Sequence, residues 1–84
     1  MSYPVVRIRE GHDRRLRQGS PWLYSNELQM EAVARTLAAG TVVRLAAADG
    51  RAMALAHFNP HSLIAARILT RNTEARIDAA FVER

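Results

Sequence analysis

From Gly40 onward the sequence breaks into three short runs, TVVRLAA, RAMALAHF and SLIAARIL, separated by Asp49-Gly50 and Asn59-Pro60. Asp49-Gly50 is a two-residue hairpin signal, because both residues tolerate the positive φ that a type I′ turn demands. Asn59-Pro60 ends the second run, since proline has no N–H to give to a ladder. Residues 4–9 add an alternating stretch in which Val5, Arg7 and Arg9 oppose Val6 and Ile8, the period of a strand with one wet face. Four strands this short bury a face and hide their edges only by curling. The expected class is therefore mainly β with short helices (α+β), arranged as a compact or open β-barrel.

The remaining segments read as connections. Residues 10–18, EGHDRRLRQ, followed by Gly19 and Pro21, fit a short helix with the usual glycine-then-proline stop. If Leu16 points inward, Arg14, Arg15 and Arg17 lie about 200°, 100° and 100° away and face water or a ligand. In SPWLYSNE, an extended backbone places Trp22 and Tyr24 on one side and Leu23 on the other. A single tryptophan in a small domain belongs more often to the core than to a binding surface, so Trp22 is assigned there, with Tyr24 balanced between the two. Met30, Val33, Ala34 and Leu37 have helical spacing and predict a helical turn within a connection. The last segment, NTEARIDAAFVER, opens on capping residues and places Ile77, Ala80 and Phe81 on one helical face. Its apolar stripe has barely begun at the final residue, so the chain is expected to be a portion of something longer.

At 84 residues the chain has room for one domain, and folding at this size hides only about 63% of the unfolded surface. With no cysteine, disulfides, thiolate metal sites and cysteine nucleophiles are excluded. No apolar run approaches the roughly 20 residues that span a bilayer, and MSYPVVRIRE lacks a signal-peptide core; no membrane association and a cytoplasmic location are expected. His57 and His61 are spaced as zinc ligands on a helix would be, but Asn59-Pro60 lies between them, so no metal site is expected at these residues or at His12. Ser62 stands outside any Gly-x-Ser-x-Gly elbow, which leaves a free-standing hydrolase as a third reading only. Glycines 11, 19, 40 and 50 are too scattered for a phosphate loop, so no bound cofactor is expected. No active site is visible.

All 12 basic residues are arginines and the net charge is +4. Arginine grips phosphate in a bidentate fork and stacks on bases, so a small basic domain points first to nucleic acid. The competing explanation is a compositional bias toward arginine and alanine, which leaves a charged but inert surface. The candidate interface comprises Arg14, Arg15 and Arg17 on the helix with Arg67 and Arg71 at the end of the last strand. Ser20, Tyr24, Ser25 and Asn26 are placed to meet unpaired bases.

Pro21-Trp22-x-Tyr24-Ser25 and Phe58-Asn59-Pro60-x-Ser62-x-Ile64-x-x-Arg67 carry a resemblance that extends over nearly the whole chain. They resemble the amino-terminal PUA domain of the class I SAM-dependent large-subunit rRNA cytosine-C5 methyltransferases, although Ser20 stands where such domains often carry histidine. The resemblance implies a PUA-like pseudo-β-barrel over residues 1–71 that holds ribosomal RNA. It also implies that residues 72–84 lead toward a central and a methyltransferase domain. S-adenosylmethionine and the catalytic cysteine would belong to those further domains, and the chain here would position RNA for them. The alternative is a module that docks on the methyltransferase domain of the same chain, without RNA contact.

Overall fold

A computed structural model describes residues 3–76. Five strands, β1 (Val5–Arg7), β2 (Trp22–Tyr24), β3 (Thr41–Ala46), β4 (Ala52–Phe58) and β5 (Ile64–Thr70), form one sheet in the order β1-β3-β4-β5-β2. The β3-β4-β5 meander is antiparallel and follows the three runs read from the sequence. β1 lies parallel to β3, with Val6 beside Leu45, and β2 lies antiparallel to β5, with Leu23 beside Ala66. Two one-turn helices, α1 (Arg14–Arg17) and α2 (Ala32–Arg35), and a 3₁₀ turn at Ser25–Glu27 sit in the connections.

The sheet curls because only one of its faces has enough apolar side chains to be buried. Ile8, Leu16, Leu23, Leu28, Val43, Leu45 and Phe58 are all fully enclosed in the same cluster, with Ala54, Ala56 and Ala66 letting the strands approach beneath them. Curling brings β1 and the residues after it against the segment that follows β2, and backbone bonds seal this seam. Arg9 N–H donates to Glu27 O at 2.9 Å, Gln29 N–H donates to Arg7 O at 2.8 Å, and Ile8 bridges Leu28. An open row of strand donors and acceptors is thereby covered.

Two expectations need correction. β2 is a fifth strand; at three residues it is too short for its alternation to register as a strand in the sequence. The β3–β4 hairpin is not a two-residue type I′ turn, since Asp49 keeps a negative φ and only Gly50 is left-handed at +93°. Gly50 N–H donates to Ala47 O and Ala47 N–H to Arg51 O, which describes a type I turn closed by a glycine bulge. Asp49 Oδ1 accepts the Arg51 N–H at 3.0 Å, a side-chain bond that favours this longer loop. The helical turn expected around Val33 is present as α2, whose single turn presents Ala34 to the core and leaves Val33 70% exposed.

After β5 the chain folds back over the other face of the sheet. Arg44 Nε and Nη2 donate to Thr73 O at 3.2 and 2.9 Å, its guanidinium lies 5.6 Å from the Tyr3 ring, and Tyr3 Oη donates to Ala75 O. Asn72 caps a turn here, accepting the Glu74 N–H. The helix expected to carry Ile77, Ala80 and Phe81 lies outside the described residues.

Phe58 is the largest fully buried side chain. Phe58→Ala is expected to cost about 3–5 kcal/mol in urea denaturation. Leu63→Ala, at a side chain that is 72% exposed, should change stability by less than about 0.5 kcal/mol. Comparable losses for the two would contradict this assignment of the core.

Candidate nucleic-acid interface

The short helix α1 follows from one apolar anchor and a glycine stop. Leu16 is fully buried, Gly19 takes φ +97°, and the N–H groups of Gly19 and Ser20 donate to Leu16 O and Arg15 O. These bonds satisfy carbonyls at the helix end. With Leu16 inward, Arg14, Arg15 and Arg17 project outward as the spacing predicts, yet the three are in different situations.

Arg14 is exposed and its guanidinium has no hydrogen bond or ion pair among the described residues. Arg17 Nη2 meets Asp13 Oδ2 at 2.9 Å one turn apart, an exposed guanidinium on a half-buried carboxylate. Arg15 turns back toward the sheet. Its Nη1 lies 3.3 Å from Glu27 Oε1 and its Nη2 3.5 Å from Ser20 Oγ, while the guanidinium carbon sits 4.8 Å from the centre of the Tyr24 ring. Glu27 is buried, and the same Oε1 accepts the Tyr24 N–H at 2.9 Å. Ser20 Oγ donates to Trp22 O at 2.8 Å. Arg15, Ser20, Tyr24 and Glu27 thus form one polar network that fixes α1 against β2. The same carboxylate-bearing residue contributes its carbonyl to the barrel seam.

β5 supplies the other arginines. Arg71 Nη1 donates to Leu16 O at 2.8 Å and ties the end of β5 to α1. Arg67 faces outward between Trp22 on β2 and His57 on β4, its register neighbours on either side. It is exposed, with no side-chain partner among the described residues. His57 is oriented by a 3.1 Å bond between Nδ1 and Gly40 O, and Asn59, Ser62 and Arg67 line the same shallow cavity of about 310 Å³.

Trp22 corrects its expected place in the core. Strand alternation puts Leu23 inside and Trp22 on the outer face, half-buried, with its Nε1 enclosed and without a hydrogen-bond partner among the described residues. Ser25 and Asn26 stand apart from the arginine cluster. They line a separate cavity of about 400 Å³ with Met30, Arg35, Pro60 and His61.

Other chemistries find less support in the geometry. Among the described residues, no hydrogen bond joins the Ser62 hydroxyl to a histidine, and no three His, Cys, Asp or Glu side chains gather as metal ligands. Gly11, Gly19, Gly40 and Gly50 each take a positive φ at separate positions and form no glycine-rich loop. No helix among the described residues is long and apolar enough to cross a membrane.

Glu27 is the residue missed in the sequence. Its signal was the Tyr24-x-x-Glu27 spacing, in which an acid three residues into a helical turn reaches back to the N–H at its start.

A family model described as a PUA-like domain matches residues 6–71. The chain belongs to the PUA-like domain family. It is also similar to curated proteins called "Ribosomal RNA large subunit methyltransferase I". Identity is 30% over 80 residues with the protein of Pseudoalteromonas translucida, which covers 95% of this chain. It is 33% over 79 residues with that of Shewanella denitrificans, covering 94%, and 30% over 83 residues with that of Klebsiella pneumoniae, covering 98%. This PUA-like domain spans about one fifth, 20%, of the length of each of those relatives.

The network makes a measurable distinction between the two ion pairs of the PUA-like domain. A double-mutant cycle on Arg15 and Glu27 should give a coupling of about 1 kcal/mol, because one partner is buried and also holds a backbone N–H. The Asp13 and Arg17 pair, one helical turn apart with an exposed guanidinium, should give about 0.3 kcal/mol. Equal couplings in urea denaturation would contradict the structural role given to Glu27.

Proposed function

We propose that this PUA-like domain binds ribosomal RNA and presents it to a methyltransferase domain of the same polypeptide that acts on cytosine C5 in the cytoplasm. On this reading residues 1–71 are the RNA-binding unit, and residues 72–84 begin the connection to the catalytic part. S-adenosylmethionine supplies the methyl group in that catalytic part; the residues of this chain bind and orient RNA.

The observation that carries the reading is the pair of unpartnered guanidiniums, Arg14 on α1 and Arg67 on β5. They stand on elements joined by the bond from Arg71 to Leu16 and by the pairing of β2 with β5. Trp22 and Tyr24 lie on the same strand between those elements. Such a surface offers phosphate contacts beside aromatic faces, the combination that holds single-stranded or looped RNA. Arg17 joins them with its exposed guanidinium, which phosphate reaches beside the Asp13 carboxylate. Arg15 and Arg71 act at one remove, Arg15 by holding the Tyr24 ring in place and Arg71 by fixing α1 to β5. Ser20 serves the same network, and Ser25 and Asn26 add hydrogen-bonding groups at a second location.

A second reading, in which the domain docks on its own catalytic domain without RNA contact, is favoured by a different surface. Val5 and Val33 are 55% and 70% exposed and line one cavity of about 320 Å³ with Arg7 and Gln29.

Titration of the 84-residue chain with a labelled rRNA hairpin at several salt concentrations separates the two readings. RNA binding predicts affinity that falls with salt. Arg14→Ala combined with Arg67→Ala should weaken binding and flatten the logarithmic salt dependence by roughly 1.4, at about 0.7 for each phosphate no longer neutralised. Absent binding, or affinity unmoved by either salt or the substitutions, would contradict the proposal.

A further inference from the structure

The cavity at the 3₁₀ turn has walls of two kinds. Met30, partly buried against the core, and Pro60 supply apolar surface. Ser25, Asn26, Arg35 and His61 surround it with a hydroxyl, an amide, a guanidinium and an imidazole. None of these four side chains has a hydrogen bond or ion pair among the described residues, and none of the lining residues is acidic.

The backbone that carries them is nevertheless fixed. Ser25 N–H donates to Leu63 O at 2.8 Å, Leu28 N–H to Ser25 O at 3.3 Å and Asn59 N–H to Ala65 O at 2.7 Å. His61 N–H donates to Asn59 Oδ1 at 2.9 Å. Free polar groups on a rigid frame around an apolar floor are the usual construction of a small-molecule site.

The mixture of groups narrows the ligand. A guanidinium selects an anion, preferably phosphate or carboxylate. An amide offers both donor and acceptor and so matches the edge of a heterocyclic base. A thioether and a proline ring accept a flat apolar face. A nucleotide combines these features at a size that a cavity of about 400 Å³ admits. We infer that this cavity receives the base of a single unpaired ribonucleotide, its edge at Asn26 and Ser25, its face against Met30 and Pro60, and its phosphate at Arg35. The inference rests on the RNA-binding reading and adds a place where the RNA is read by base instead of merely held.

The test uses the whole 84-residue chain, labelled at methionine methyl groups, and three probes: single-stranded ribohexanucleotides with bases, an abasic ribose-phosphate oligomer of the same length, and inorganic phosphate. The base-bearing oligomers should move the Met30 methyl resonance upfield through the ring current of a stacked base, and the other two probes should not. Asn26→Ala, at an exposed side chain outside the core, should weaken the base-bearing oligomers about fivefold, the value of one hydrogen bond removed, and leave the abasic oligomer unchanged. Arg35→Ala should weaken both oligomers.

A Met30 shift produced equally by abasic oligomer or phosphate would overturn the inference and leave an anion site only. If the oligomers bind in a manner dependent on Arg14 and Arg67 while the Met30 methyl stays in place and Asn26→Ala has no effect, the inference fails and the RNA-binding reading stands. If no oligomer binds at all, both fall together.

Discussion

The fold depends on sealing one seam. A five-stranded sheet of this length has a single apolar face and two exposed edges, and the backbone bonds between residues 7–9 and 27–29 close the β1 edge against the segment that follows β2. Glu27 sits at this seam with two roles. Its carbonyl accepts from Arg9, while its buried carboxylate accepts from the Tyr24 backbone and from Arg15. A buried carboxylate left without such donors would be costly, so the seam and the orientation of α1 are fixed by one residue. The candidate interface is consequently attached to the most constrained part of the barrel.

The arginines divide by what their guanidiniums touch. Arg44 holds the segment that follows β5, Arg71 holds the end of α1, and Arg15 holds Tyr24, each through carbonyl, carboxylate or ring contacts within the domain. Arg7, Arg14, Arg35, Arg51, Arg67 and Arg76 remain open to solvent without side-chain partners among the described residues. A high arginine content therefore does not translate into an equally large phosphate-binding surface. Guanidinium is suited to both tasks, since its several N–H donors serve a backbone carbonyl or a carboxylate as well as a phosphate.

Much of the barrel was legible because its signals were local. The runs that become β3, β4 and β5 end at glycine, Asp49-Gly50 and Asn59-Pro60, and the alternation of Val6 and Ile8 against Val5 and Arg7 is reproduced in their burial. Leu16 as the inward residue of α1 was legible for the same reason. The parallel pairing of β1 with β3, the three-residue strand β2 and the seam were not, because each joins segments far apart in sequence and leaves no periodic trace. The arginine cluster was legible as composition and helical spacing, but which members are engaged was not. That depends on Glu27 and on the carbonyl of Leu16, partners set by tertiary packing. Trp22 was misplaced because the tendency of tryptophan toward the core lost to the alternation set by Leu23.

A small barrel with one sealed seam leaves its outer sheet face and its short connections free to make contacts without risk to the core. The candidate interface uses both: a strand face bearing Trp22 and Arg67, and a one-turn helix bearing Arg14. The central claim is that this flank meets the phosphodiester chain, and the most direct measurement is backbone amide NMR of the chain with and without an rRNA hairpin. The account predicts that shifts concentrate in residues 14–17, 20–24 and 67–71. Shifts confined to the surface around Val5, Val33 and the β3–β4 turn, with those three segments unmoved, would contradict it.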